Sequence, residues 1–556
     1  MSKKKKIAAG FAMQATILAA ASIVSKLIGM IYNIPFANIL RKSGEGYGNG
    51  YYGAAQTWYF YILIIATFSI PSAVSKIMAE RIERGEYRNV KRIFNGSMLY
   101  VMVVGLAAAV FAYVAAPYLV SPNAVLSFRV LAPTIFFSGF LSVYRGYFQA
   151  YGNMVPTSAS QVIEQIFNAV GSITLALLFI KWASALGRES EIDKFGAAGG
   201  TIGTGVGLLA GLVYMMVLFR KEKRELNVRM EADVTEHILS YREVIKLLLM
   251  IATPIILSSA IYNANAMLDM TIFQKVSKAM GYGKGVIDGQ YGLYSRMYLV
   301  LANVPIAMAS AVASAVIPGV SSAYAVGNKK ECNRKLNQSM ELTMVMTIPC
   351  AVGFAVLGKP IVRLLYYSLT EEEVDMVGML LLLGGISIVI YGISSVLNGV
   401  LQGIGKVNVP VISAVVALLL HMVLLVFLVA VCRVGIYSLI FATAFYAVIV
   451  VFMNYLYVKK YLGFRMKWKH IVWVPMISAL VMGITAVVLY NGLYLLLGYV
   501  MGERVCNGAA VLTAIVLAAC VYFISMIKIG GYTKDMLLAF PKGALLVRIA
   551  EKLHLI

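Results

Sequence analysis

The sequence is short of charge. Asp, Glu, Lys and Arg make up 13% of its 556 residues, about half the share found in soluble domains. Hydrophobic residues reach 60% and the mean hydropathy is +0.81, which excludes a water-soluble globular fold. Cysteine is scarce as well. The five present (Cys332, Cys350, Cys432, Cys506 and Cys520) are scattered with no CxxC, so neither a disulfide framework nor a metal site is indicated. Also missing are the strings G-x-x-x-x-G-K-[ST], H-E-x-x-H and G-x-S-x-G. The chain therefore offers no phosphate-cradling ATPase loop, no zinc-hydrolase helix and no serine nucleophile turn, and nothing in it calls for an enzyme.

What the sequence has is apolar length. A membrane span needs roughly 20 consecutive, mainly apolar residues. Stretches of this kind fall at about 11–35, 52–79, 93–117, 125–150, 157–181, 197–219, 244–274, 290–325, 337–366, 376–402, 408–431, 434–458, 472–496 and 508–527. The expected class is an all-α polytopic membrane protein of fourteen transmembrane helices. The first run follows KKKK, but it is too long for a signal-peptide core and reads as a retained helix. A formal net charge of +23 suggests nucleic acid at first sight. If both termini are cytoplasmic, however, loops on that side carry 32 Lys and Arg and loops on the other side carry 12. The excess obeys the positive-inside rule in the cell membrane and excludes nucleic acid as a partner.

The chain is also internally repeated. GYFQAYG (Gly146 to Gly152) returns 253 positions later as GVLQGIG (Gly399 to Gly405), each copy followed by a proline, Pro156 or Pro410. SAV at Ser72–Val74 returns 242 positions later at Ser314–Val316. Both copies of SAV run into a basic loop and then a Ser-Met, Ser97-Met98 and Ser339-Met340. Duplication in an apolar chain is the mark of a transporter working by alternating access. The expected organisation is a six-helix bundle at 1–219, a basic cytoplasmic linker at 220–243 and a second bundle at 244–458. Two additional helices follow at 459–533, then an interfacial amphipathic tail at 534–556. In that tail Leu545, Leu546, Ile549 and Leu553 oppose Arg548, Glu551 and Lys552. Gly199, Gly203, Gly207 and Gly211 share one face of the sixth span, the pattern of a close helix–helix approach. The repeated Gly146, Gln149, Gly152 and Gly399, Gln402, Gly405 read most simply as structural, holding a helix-to-loop turn.

Ionisable groups at membrane depth are costly and usually face a cavity or a partner. Lys26, Lys76, Arg129 and Arg296 lie within spans, and Arg145 ends the fourth. Each has two readings: a side chain snorkelling to the interface, or a cation lining a cavity for an anion. Glu164 and Asp269 are the intramembrane acids, which either pair with such cations or carry a coupling proton or Na⁺. Asn263, Asn265, Asn303 and Asn398 suit a polar pathway or interhelical glue. His421 reads as a core imidazole.

Three segments carry a resemblance: ATILAAASIVSKLIGMIYNIPFANIL, IPSAVSKIMAERIERGEY and RGYFQAYGNMVPTSASQVIEQ. They resemble the polysaccharide-flippase branch of the MOP (MATE-like) superfamily, which includes the stage V sporulation protein B-like and MurJ-type lipid II flippases of Firmicutes. The resemblance is strongest over residues 11–170, continues at 254–335 and 399–410, and fades in the last two helices. It implies movement of an undecaprenyl-pyrophosphate-linked saccharide, such as lipid II, from the inner to the outer leaflet. It also implies a central cavity of cationic side chains that hold the pyrophosphate, with Lys26 matching a basic position in the first helix, and Asp269 and Arg296 an acid in helix 7 and a base in helix 8; Lys76 and Arg145 join the expected cationic lining from their positions in the spans. One departure is Tyr32-Asn33, where MurJ-type sequences often carry Arg-Asp. No cofactor is implied; energy would come from Na⁺, H⁺ or the membrane potential. The expected partners are the lipid-linked oligosaccharide, membrane lipids and cell-wall synthesis enzymes, with the chain acting as a monomer. Two alternatives stand beside this reading: a cation-coupled MATE-type multidrug exporter, usually a twelve-helix protein, and a membrane scaffold for envelope synthesis.

Overall fold

In the computed structural model, which describes residues 3–532 and 543–552, the chain is helical almost throughout. Its first helices are α1 (Lys3–Lys42), α2 (Gly48–Leu63), α3 (Ile70–Glu83), α4 (Tyr87–Leu119), α5 (Val125–Ala150), α6 (Val155–Ala185) and α7 (Ile192–Glu231). After α8 (Tyr241–Ala279) come α9 (Lys284–Gly292), α10 (Leu299–Ala325), α11 (Lys329–Leu365), α12 (Glu371–Gly403) and α13 (Asn408–Ala430). The series continues with α14 (Tyr437–Leu462), α15 (Val474–Gly498) and α16 (Glu503–Lys528), and a short helix covers Gly543–Lys552. Among the described residues, fourteen segments are long and apolar enough to cross a membrane. Three of them contain a π-helical turn: α2 runs through one at Ile64–Phe68 into α3, α9 through another at Leu293–Tyr298 into α10, and a third at Lys469–Trp473 leads into α15.

Local sequence sets the helix ends. Ser240 caps α8 reciprocally with Glu243, and Thr370 caps α12 in the same way with Glu373. The helix α7 continues as far as Glu231, so half of the segment expected as a linker is helical. What remains, residues 232–240, is tied to the first turn of α4. The Asn89 side chain donates to the His237 carbonyl (3.0 Å) and accepts from the Leu239 N–H (2.8 Å), while Asp233 accepts from the Arg88 N–H (2.6 Å). In the last described helix Arg548, Glu551 and Lys552 are exposed, and Val547 is buried against Ile527, Phe523 and Tyr532. The side chains of Leu545, Leu546, Ile549 and Leu553 lie outside the described residues.

Two compact units divide the chain, Met1–Arg296 and Met297–Ile556. In the first, a core of Ile70, Val74, Met78, Ile93, Leu141 and Met215 joins α3, α4, α5 and α7. In the second, Leu336, Met340, Val400 and Leu401 pack with Ile471, Met482 and Met526, so α15 and α16 belong to that unit's core. The repeat boundary expected at 220–243 follows sequence correspondence, whereas the unit boundary at Arg296 follows packing. The two need not coincide, because α8 packs on α3 and α4.

Within each unit the repeated strings meet one another. A Cβ on Gly146 would lie 3.0 Å from the Pro71 carbonyl, and one on Gly399 would lie 2.9 Å from the Ala313 carbonyl; Pro71 and Ala313 are 242 positions apart, like the SAV pair. Gly152 (φ 71°) and Gly405 (φ 76°) end α5 and α12 in the left-handed conformation that glycine adopts without strain. The N–H of Gly152 reaches the Gln149 carbonyl (2.9 Å) and that of Gly405 the Gln402 carbonyl (3.0 Å). The duplicated sequence therefore encodes a duplicated packing contact and a duplicated helix stop.

The glycine face of the sixth span packs as its spacing implies. Cβ atoms on Gly199, Gly203 and Gly207 would lie 2.5, 2.1 and 2.4 Å from backbone atoms of Leu175, Ser172 and Glu164 on α6. No side chain larger than hydrogen fits there, so the glycines fix the distance from α7 to α6.

Candidate functional site

A cavity of about 780 Å³ opens within the first unit, among α2, α3, α5, α6, α7 and the end of the π-turn that carries Arg296. Two π-turns border it: Ile64, Thr67 and Phe68 line it from the first, and Arg296 from the second. A π-turn widens the helix by one residue and shifts the faces on either side of it, a device frequent at functional sites.

Its charged lining consists of Arg145, Glu164 and Arg296, a formal excess of one positive charge. Arg145 Nη2 donates to Glu164 Oε2 at 2.8 Å, and its Nε donates to Ser160 Oγ at 3.0 Å. The pair is only partly shielded, with the two side chains 16% and 26% exposed. The Arg296 guanidinium lies 4.3 Å from the Tyr52 ring centre and 5.4 Å from that of Phe36, a stacked placement suited to a planar cation. Asn33 Nδ2 holds the Arg296 carbonyl at 2.8 Å. Asn33 thus positions the backbone beneath this arginine.

The rest of the polar wall is neutral. On α6, Thr157, Gln161, Gln165 and Asn168 recur at helical spacing around Glu164 and all line the cavity. Facing elements add Gln56, Thr67, Ser138, Ser142, Gln149, Thr204 and Asn263. Gln56 Nε2 donates to Tyr52 Oη and Thr204 Oγ1, both at 3.0 Å, and Asn168 Nδ2 donates to Tyr32 Oη at 3.2 Å.

The structure gathers some of the residues expected from sequence and leaves others apart. Arg145, Arg296, Glu164, Asn263 and Gln149 line this one cavity. Lys26 and Lys76 are exposed and not part of its lining. Lys76 shares an outward face of α3 with Ser72 and Glu80, where its long stem lets the amine reach water. Asp269 is buried and accepts from Asn265 Nδ2 at 3.1 Å, also outside the lining. Asn303 is exposed on α10, in the second unit. Arg129 sits over Tyr113, 4.9 Å from the ring centre. Asn398 and Asn454 bond to each other at 2.6 Å and so join α12 to α14. Sequence reasoning missed Thr157, Gln161, Gln165 and Asn168. Their signal was present as polar residues recurring with a helical period through an otherwise apolar span.

The family model described as polysaccharide biosynthesis protein matches residues 11–324, and the MatE model matches residues 297–427. The lipid II flippase MurJ of Bacillus subtilis is 25% identical over 467 residues, covering 81% of this chain and 83% of its own. Stage V sporulation protein B of the same organism is 24% identical over 357 residues, 63% of this chain and 66% of its own. Among solved structures, a lipid II flippase MurJ in an inward closed conformation aligns with a TM-score of 0.64 at 18% identity, covering 92% of this chain and 98% of that one. Its fold is therefore this fold.

Proposed function

The chain belongs to the polysaccharide biosynthesis protein family, membrane transporters of the MOP superfamily rather than enzymes, and from that premise we propose that it flips a polyprenyl-pyrophosphate-linked saccharide between leaflets by alternating access. The observation that carries this reading is the pairing of two arginines with a largely neutral polar wall in one cavity of about 780 Å³.

A pyrophosphate cannot enter hydrocarbon bare, because desolvating its charges costs far more than thermal energy. Arg145 and Arg296 supply guanidinium donors that suit phosphate oxygens better than an ammonium does. Arg296 is pre-oriented by Tyr52 and Phe36. Arg145 is held by Glu164 when no other anion is bound, so binding exchanges a carboxylate for a phosphate on the same cation. The excess of Lys and Arg on alternate loops supports a topology with both termini cytoplasmic. A gradient of ions or voltage, or consumption of the product on the far side, would supply the work. One charge moved through 100 mV is worth about 2.3 kcal/mol.

Depleting the protein in its host and measuring polyprenyl-linked precursors in the inner leaflet tests the reading. Accumulation of one such precursor supports it. Unchanged precursors with reduced efflux of organic cations would instead establish the multidrug-exporter alternative, which the MatE match over 297–427 keeps in view.

A further inference from the structure

Resting on that reading, we infer that the polar stripe of α6 is a separate subsite that reads the neutral, polyhydroxylated part of the cargo, its sugar, while the arginines hold the anion. Three residues of the lining carry an oxygen that is shielded from water and makes no hydrogen bond to the protein: Gln56 Oε1, Thr157 Oγ1 and Gln161 Oε1. Gln56 and Thr157 are only 8% and 1% exposed, so their unsatisfied atoms are costly unless a ligand supplies the partner. Carboxamide oxygens are acceptors, and a hydroxyl both donates and accepts. A pyrophosphate offers only acceptors and is repelled by the two carboxamide oxygens, Gln56 Oε1 and Gln161 Oε1. A sugar offers O–H donors, and an N-acetyl sugar an N–H donor as well. Phe60 and Phe68 line the same cavity and provide apolar ring surface for the C–H side of a pyranose.

The internal repeat serves as a control on whether these polar groups are mere framework. Aligned on Pro156 and Pro410, the positions matching Thr157, Gln161, Gln165 and Asn168 are Val411, Val415, Leu419 and Met422. Duplication kept the glycine contacts and the helix stops in both copies, yet only the first copy of this helix carries the stripe. Polar groups needed to pack the helix would be expected in both. A stripe found in one copy belongs to what that copy alone does.

The test measures binding to the full-length protein in lipid nanodiscs of two probes: a polyprenyl pyrophosphate without sugar and the same lipid bearing an N-acetylhexosamine disaccharide. The double substitution Gln161→Leu with Thr157→Val should weaken the glycosylated lipid roughly 5- to 100-fold, the range for leaving buried partners unpaired, and leave the sugar-free lipid unchanged. Thr157→Ser, which keeps the hydroxyl, should retain glycolipid binding and shows that loss in the double variant is not misfolding. Arg296→Ala should weaken both probes. The subsite is refuted if the double variant binds both lipids as the wild type does, or loses both equally while its unfolding midpoint is unchanged. If the wild type binds neither lipid, the flippase reading itself falls and the subsite with it.

Discussion

Replacing Gly203 with alanine tests how α7 positions the cavity wall. The added Cβ would lie 2.1 Å from the Ser172 nitrogen and 2.4 Å from its Cα. These are backbone atoms that no rotamer change can move, so α6 and α7 must separate by about 1 Å or more to restore contact distance. Overpacking of this kind costs about 1–3 kcal/mol. The same shift strains the Ser172 Oγ bond to the Gly200 carbonyl (2.9 Å), worth about 1 kcal/mol. Against this, alanine in a helix gains about 1 kcal/mol over glycine. The net expectation is a loss of about 1–3 kcal/mol, read as a fall of roughly 2–5 °C in the unfolding midpoint of a unit of this size. Because α6 carries the polar stripe, glycolipid binding should fall too. Gly353, on α11 with nothing within 4 Å of its Cβ position, is the control, and Gly353→Ala should be neutral or stabilising. Thermal unfolding of the purified protein in one detergent measures both. A Gly203→Ala protein as stable as the wild type would refute the claim that these glycines set the helix spacing.

Gly152→Ala and Gly405→Ala should each destabilise by about 1 kcal/mol, the cost of a left-handed alanine, with similar midpoint losses because the two helix stops share one geometry. Burial raises the Asp233 carboxyl, but hydrogen bonds from the Arg88 N–H and from Thr235 outweigh it, so the group sits below its ordinary value; Glu86 is lowered likewise, burial being outweighed by Asn89 and Arg81. A depressed folded-state value stabilises above the unfolded value, near pH 4, and that contribution is lost as pH falls through the folded one. Hydrogen exchange across 232–240 should therefore stay slow from pH 7 to about 4.5, after correction for the intrinsic rate, and quicken below about pH 4. Asn89→Ala should quicken it at pH 7 already. Arg296→Lys should keep the charge but bind pyrophosphate lipid less well than wild type, since an ammonium lacks the planar fork.

Much of the architecture was legible because hydropathy and glycine spacing are summed over whole helices. Fourteen runs gave fourteen spans among the described residues, and four glycines one turn apart gave a helix contact. The candidate site was legible in part. A charged residue in a span announces itself, and Arg145, Glu164 and Arg296 did meet at one cavity. Which face a side chain presents depends on packing, however, so Lys26 and Lys76 looked alike in sequence to Arg296 yet lie outside the lining. The π-turns at Ile64–Phe68 and Leu293–Tyr298 were not foreseen, since one extra residue per turn leaves hydropathy unchanged. Neutral Gln161 and Thr157 escaped notice because their hydropathic cost is small beside that of a charge.

The most direct test of the account is leaflet translocation in proteoliposomes containing the purified protein and a fluorescent polyprenyl-pyrophosphate disaccharide. Arg145→Ala and Arg296→Ala should each slow translocation at least about tenfold, the loss of one charge-assisted contact, while Lys76→Ala leaves it unchanged. Translocation undiminished in both arginine variants would contradict an anion-binding cavity in the first unit.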